Sequence, residues 1–201
     1  MAAEAALAAD IASQGWSCRD DFLPPELIAR LRTEASELEA RGAFDAAAVG
    51  RGEERAVRRD IRGDDTCWLE EPFPVSVSAV LPRLEQLRCE SNATLQLGLF
   101  DLELHFALYR PGAFYARHRD RFSSGSRRIL SLVLYLNEGW REAEGGALRL
   151  YLSGESAGNV IEFLPQSGRL VVFLSEQFEH EVLPATRERL SLTGWFLSRA
   201  L

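Results

Sequence analysis

The sequence predicts a mainly β fold with flanking helices, a sandwich or a barrel-like jelly roll. Three observations predict it. The apolar period changes from helical spacing to two at about Leu95. Beyond that point many short alternating runs follow, each bounded by Gly, Pro, Asn or Ser. The chain has 201 residues, 46% of them hydrophobic and 26% charged, enough for one globular domain with a sizeable core.

Each element has its own signal. Leu7, Ile11 and the alanines around them predict a short helix ending near Gly15. Pro24 and Pro25 open a second helix, in which Leu27, Leu31, Ala35 and Leu38 recur at helical spacing until Gly42 stops it. Residues 42–66 are rich in Gly, Arg and Asp and lack periodicity, so they read as a mobile loop or an irregular hairpin. A third helix is expected from about Ser78 to Cys89. In 102–109, Leu102, Leu104, Phe106 and Leu108 point one way and Glu103, His105, Ala107 and Tyr109 the other. Residues 129–136 alternate likewise, and 147–152, 160–164, 169–174 and 189–197 complete the strands. One domain over 1–201 is expected, with helical support and the loop in 1–94 and the β core in 95–201.

Composition narrows the function classes. No apolar run reaches membrane-span length, and the acidic N-terminus MAAEAALAAD lacks the basic flank of a signal peptide. Cys18, Cys67 and Cys89 are odd in number and show no C-x-x-C spacing, so we expect buried small hydrophobes and a reducing cytoplasm. A net charge of -7 argues against nucleic acid as the main partner. Arg51, Arg55, Arg58, Arg59 and Arg62 nevertheless cluster, either as a basic patch or as a solvated loop face. Trp16, Trp68 and Trp140 read as packing residues, and His105 as a residue making a structural hydrogen bond.

Chemistry concentrates on few residues. The chain has three histidines, and His118 lies in YARHRDRF, giving His118-x-Asp120. In extended chain, residues two apart share a face, so an imidazole and a carboxylate can reach one metal. A jelly roll can add the distant His180, and two histidines with one carboxylate form the facial triad of non-haem Fe(II) oxygenases. Zinc accepts the same ligands. On the last strand Arg189, Ser191, Thr193 and Trp195 share one face, opposite Leu190, Leu192 and Phe196. A fixed guanidinium beside a hydroxyl suits a carboxylate such as the far end of 2-oxoglutarate. Tyr135 could add a phenol, and Arg187 competes with Arg189 for the role.

The strings DIRGDDTCWLE, YRPGAFYARHRD, RRILSLVLYLNEGW, EGGALRLY and HEVLPATRERLSLTGWF resemble the prolyl 4-hydroxylase family, most of all its hypoxia-inducible-factor prolyl hydroxylase branch and the bacterial relatives of that branch. The resemblance runs from about residue 58 to the C-terminus. It implies a double-stranded β-helix (jelly roll) core supported by N-terminal helices. It implies that His118, Asp120 and His180 bind Fe(II), that Arg189 binds 2-oxoglutarate, and that Tyr109, Tyr135 and Thr193 line the co-substrate pocket. Arg62 and Asp64 match the motif that anchors a substrate loop, and Tyr115, Arg128 and Trp195 match positions near the substrate peptide. Residues 42–59 would be the lid.

The implied activity is O2-dependent hydroxylation of a prolyl residue in a protein, with oxidative decarboxylation of 2-oxoglutarate to succinate and CO2 and with ascorbate as reductant. Bacterial members suggest elongation factor Tu as a partner, and a cytoplasmic monomer is expected. The alternatives are the same oxygenase chemistry on a non-prolyl or small-molecule substrate, or a non-catalytic jelly-roll binding module.

Overall fold

The computed structural model describes residues 2–49, 56–120, 126–152 and 159–200. Helix α1 (Ala2–Gln14) buries Leu7, Ala8 and Ile11 and ends at Gly15, as its sequence predicts. Gly15 has φ +84, and a Cβ there would collide with Gln177 and Phe178, so only glycine makes this exit from the helix. The chain then enters a short strand, β1 (Trp16–Arg19), too brief for an alternating signal. Helix α2 (Pro25–Ala40) starts on its proline, where a missing N–H costs nothing, and buries Ile28, Leu31 and Ala35.

The stretch 42–66 takes the hairpin reading and adds to it. Strand β2 (Asp45–Ala46) pairs with β5 (Asp65–Leu69), and β3 (Ala48–Val49) pairs with β4 (Ala56–Val57). Residues 50–55, with Arg51 and Arg55, lie outside the described residues. The expected third helix is two elements, α3 (Val75–Ser78) and α4 (Leu81–Leu95). Val80 and Pro82 mark the break, because proline sits easily only in a first turn. The N-terminal part is therefore more than helical support: β1, β2 and β5 complete the large sheet.

The remaining strands are β6 (Leu99–Tyr109), β7 (Tyr115–His118), β8 (Arg128–Tyr135), β9 (Leu148–Tyr151), β10 (Val160–Phe163), β11 (Leu170–Leu174), β12 (Glu179–Val182) and β13 (Arg189–Ser198). The large sheet has the order β1-β11-β8-β13-β6-β5-β2 and the small one β10-β9-β12-β7, every pair antiparallel. Among the described residues no helix is long and apolar enough to cross a membrane.

Two apolar layers follow from strand alternation. Leu104, Phe106, Leu130, Leu132, Leu192 and Phe196 turn one face of the large sheet toward the helices, where Leu7, Ile11, Leu31, Leu84 and Leu87 meet them. The opposite face carries Tyr109, Val133, Tyr135 and Phe173 against Leu148, Leu150, Phe163 and Val182. This is the jelly-roll sandwich, and the candidate site opens between its sheets.

Gly194 sits mid-strand in β13 opposite Leu104. A Cβ there would overlap the Glu103 carbonyl oxygen and lie 2.8 Å from Leu104 Cδ2. Because backbone must move to make room, Gly194→Ala should lower stability by about 1–3 kcal/mol, read as a lower urea midpoint with an unchanged m-value.

Candidate active site

Strand pairing assembles the metal ligands. His180 on β12 lies directly opposite His118 on β7, and Asp120 follows just beyond the end of β7. One donor atom from each of the three residues falls within 4.8 Å of the other two. The facing contacts are His118 Nε2 to Asp120 Oδ1 at 3.6 Å and His180 Nε2 to Asp120 Oδ2 at 3.7 Å. Each histidine turns Nδ1 to a backbone carbonyl, Ala116 at 2.8 Å and Phe178 at 3.4 Å. A carbonyl only accepts, so Nδ1 carries the proton and the Nε2 lone pair is left toward the shared centre. The donor set and its tautomers thus fit a divalent metal held on one face.

Asp120 is anchored from behind. Ser131 Oγ donates to Asp120 Oδ2 at 2.6 Å and also meets Ser175 Oγ at 2.9 Å. Burial by itself raises the Asp120 pKa, but His180, His118 and the Ser131 hydroxyl together hold it well below the carboxylate range. Burial, then the neighbouring His118, lowers His180 to about 4, which keeps that imidazole neutral and able to ligate. Ser131 is a residue that the sequence reading missed. Its signal was present, since it shares the inner face of β8 with Val133 and Tyr135.

Arg189 lies along the same cavity wall, 2% exposed. Its Nε donates to the Gly146 carbonyl at 2.9 Å, and a terminal nitrogen reaches Tyr135 Oη at 3.4 Å. The guanidinium also sits 5.0 Å from the Tyr109 ring centre and 4.9 Å from that of Tyr135. Among the described residues no Asp or Glu forms an ion pair with it. A buried guanidinium with only neutral partners is costly, and a ligand carboxylate would relieve that cost. Burial pushes Tyr135 up to about 12, so its phenol keeps its proton and can donate. Thr193 and Ser191 line the wall beside Arg189, their hydroxyls 3.0 Å apart. Tyr135 stands behind the wall, in contact with Arg189. The competitor, Arg187, is 39% exposed, pairs with Glu144 and covers Trp140.

The other named residues also line the cavity. Arg62 pairs bidentately with Asp64 at 2.7 and 2.9 Å, and Asp64 is fully buried. Burial alone would lower the Arg62 pKa, but the hydrogen bonds and charge of Asp64 raise it. Arg62 covers the Tyr115 ring at 4.7 Å, and Tyr115 stacks on His118 at 3.6 Å. Arg128 lies 3.4 Å over the Trp195 ring. The described members of the arginine cluster are paired rather than a free basic patch: Arg58 with Asp60, Arg59 with Asp65 and Arg62 with Asp64.

Three ordinary readings need correction. His105 makes no structural hydrogen bond through Nδ1, which is buried without a partner. Trp68 is 45% exposed, since β5 lies near the sheet edge. Cys89 is exposed on α4, Cys18 is partly buried, and only Cys67 is fully buried.

Residues 104–197 match the model of the 2OG-Fe(II) oxygenase superfamily. Human Egl nine homolog 1 is 30% identical over 187 residues, covering 88% of this chain and 42% of its own length. The chain spans about half the length of the curated Egl nine relatives it matches, up to 53% for the rat protein. A Pseudomonas putida prolyl-4-hydroxylase crystal structure is 45% identical with a TM-score of 0.88, covering 98% of this chain and 100% of that one. A Trichoplax adhaerens prolyl hydroxylase, in complex with a hypoxia inducible factor oxygen degradation domain peptide fragment, has the same fold: TM-score 0.87 at 23% identity, covering 98% and 90%.

Arg62→Ala should destabilise the protein by about 3–5 kcal/mol, because it strands the Asp64 carboxylate in the interior. The double replacement Arg62→Met with Asp64→Leu should restore most of that loss. Urea unfolding of the two variants beside the unaltered protein checks both.

Proposed function

The chain belongs to the prolyl hydroxylase family of 2OG-Fe(II) oxygenases, and on that premise we propose that it hydroxylates a prolyl residue at C4 in a protein substrate. The observation that carries the reading is Arg189, a buried guanidinium without an acidic partner in the cavity that holds His118, Asp120 and His180. A metal triad alone suits many reactions, but a second carboxylate receptor in the same cavity suits a 2-oxo diacid.

Fe(II), 2-oxoglutarate and O2 supply the oxidising chemistry when bound, with succinate and CO2 formed as oxygen enters the C4–H bond. The protein contributes position and exclusion of water. His118, Asp120 and His180 would hold the ion, with Ser131 fixing the Asp120 carboxylate. Arg189 would take the far carboxylate of 2-oxoglutarate, with the Tyr135 phenol donating beside it and Tyr109 and Thr193 flanking. Val133, Leu148, Phe173 and Val182 make the walls apolar and keep bulk water from the centre. Arg62 and Asp64 would brace the hairpin beside the mouth, leaving Tyr115, Arg128 and Trp195 to the peptide. Residues 42–59 would serve as the lid over it. Ascorbate would serve as reductant, elongation factor Tu is the first protein to test, and we assign the enzyme to the cytoplasm as a monomer.

The protein, Fe(II), ascorbate and 2-oxoglutarate are incubated with proline-containing proteins including elongation factor Tu and read by tandem mass spectrometry. One oxygen gained at a single proline, lost in Asp120→Ala and in His118→Ala, is expected. Succinate without any oxidised proline would overturn the prolyl substrate. If neither product forms, the binding-module reading is favoured instead. Arg189→Ala should raise the KM for 2-oxoglutarate about 10- to 100-fold, the worth of a charge-assisted hydrogen-bond pair. An unchanged KM would remove Arg189 from the co-substrate site.

A further inference from the structure

His105 is a buried polar residue of the cavity that the reaction above does not use. It lies on the inner face of β6, 1% exposed, opposite Trp68 on β5 and Thr193 on β13. Its ring packs in a three-ring cluster with Trp68, 4.7 Å away, and Trp195, 5.3 Å away and nearly parallel at 18°, the two indoles themselves lying 6.1 Å apart. Both His105 and Trp195 line the cavity. Neither His105 Nδ1 nor Trp195 Nε1 has a hydrogen-bond partner, although both atoms are buried. Buried polar atoms are nearly always paired, and two orphans side by side in a cavity wall point to a group that arrives from outside.

We propose that His105 and Trp195 form a subsite for a backbone peptide group of the protein substrate, which makes His105 a specificity-determining residue. This rests on the protein-substrate reading above. The complementary group follows from the donors and acceptors. An indole nitrogen only donates, so the ligand must present an acceptor to Trp195. A neutral imidazole offers one donor and one acceptor, so it can exchange a hydrogen bond with either half of an amide. His105 stays neutral because burial, then the charges of Arg62 and Arg128, lowers it to about 3. The local cations do not leave a receptor for a charged ligand: Arg62 is paired with Asp64, and Arg128 is covered by Trp195 and reaches Glu103 at 3.4 Å. A neutral group that both donates and accepts therefore matches best, and a polypeptide offers one at every residue. Trp68, packed against His105 and Trp195 and 45% exposed, carries the same aromatic cluster from the cavity toward the surface. It supplies an apolar path along which a chain can lie.

The test uses the protein loaded with Fe(II) and 2-oxoglutarate and a library of 15-residue peptides, each with a central proline, read by mass spectrometry and succinate release. The variants are His105→Phe, which keeps the ring stack without a hydrogen bond, and His105→Asn, which keeps a donor and an acceptor. For peptides that the unaltered protein oxidises, His105→Phe should raise the peptide KM about tenfold, one hydrogen bond's worth. His105→Asn should restore part of it, with the KM for 2-oxoglutarate as the internal control. His105→Phe should also raise the urea midpoint, because it removes an unsatisfied buried atom, an effect opposite to losing a structural contact. An unchanged peptide KM in a folded His105→Phe protein overturns the subsite alone. So does a lowered urea midpoint, which would make His105 structural. Succinate release with no peptide oxidised by the unaltered protein overturns the prolyl reading, and the subsite with it.

Discussion

The cavity depends on one strand pair, β12 laid antiparallel on β7 with His180 opposite His118. Side chains alternate, so this register sends both imidazoles inward and Arg117, Glu179 and Glu181 outward. On the outer face Arg117 Nε donates to Glu179 at 2.8 Å, the Arg117 guanidinium covers Tyr151 at 3.7 Å, and Arg149 bridges Glu162 and Glu181. Such exposed pairs contribute only about 0–1 kcal/mol each, so they do not hold the register by attraction. They hold it by exclusion. A slip of one residue would turn Glu179 and Glu181 into the sandwich and the imidazoles out to water. Val182, with Leu148 on β9, would lose its place in the apolar layer at the same time.

Asp120, the Arg62–Asp64 pair and Arg189 then meet three different solutions. Asp120 accepts from a serine hydroxyl and faces the Nε2 atoms of two imidazoles, a donor set that a cation completes. Arg62 and Asp64 neutralise each other with two hydrogen bonds in parallel, a geometry that arginine supports and lysine does not. Among the described residues, the polar and aromatic partners of Arg189 are a carbonyl, a phenol and two aromatic faces. The first and third are incomplete within the protein itself, and both incompletions face one cavity. The second is closed, which is why it suits a brace rather than a receptor.

The sequence made the long elements legible and the short ones obscure. Helices α1 and α2 and strands β6, β8 and β13 each span enough residues for a period to repeat and lie where expected. Strands β1, β7 and β12 are four residues long and rich in polar or charged residues, unlike the equally short β9 and β10, which lie within the expected 147–152 and 160–164, and their place comes from neighbours far along the chain. The metal ligands were legible because His-x-Asp is local and histidine is rare here. The choice of Arg189 over Arg187 was legible from where the alternation of β13 begins, since Arg187 lies nearer the turn, before the strand's first residue. The role of Gly146 was not, because it offers Arg189 only a backbone carbonyl, which leaves no mark on residue type. The state of His105 was not legible either. Its face could be read, but the lack of a partner is a property of the whole cavity.

The two faces of β6 and β13 explain how a fold tolerates such a cavity. Outward, Leu104, Phe106, Leu192 and Phe196 join the helix-covered core and are almost completely buried. Inward, the same strands present His105, Arg189 and Trp195, which carry unmatched hydrogen-bonding groups or an uncompensated charge. Burial of a large apolar side chain contributes about 1.5–3 kcal/mol, while an orphaned polar atom costs about 1–3 kcal/mol. The apolar face therefore offsets the polar one residue for residue along a shared backbone, and the inner face is free to be chosen for ligands rather than for stability. Natural folds break local rules where function needs it and recover the loss elsewhere. Here the recovery lies on the far side of the same two strands, so the inner residues are held at fixed spacing by the contacts that compensate for them.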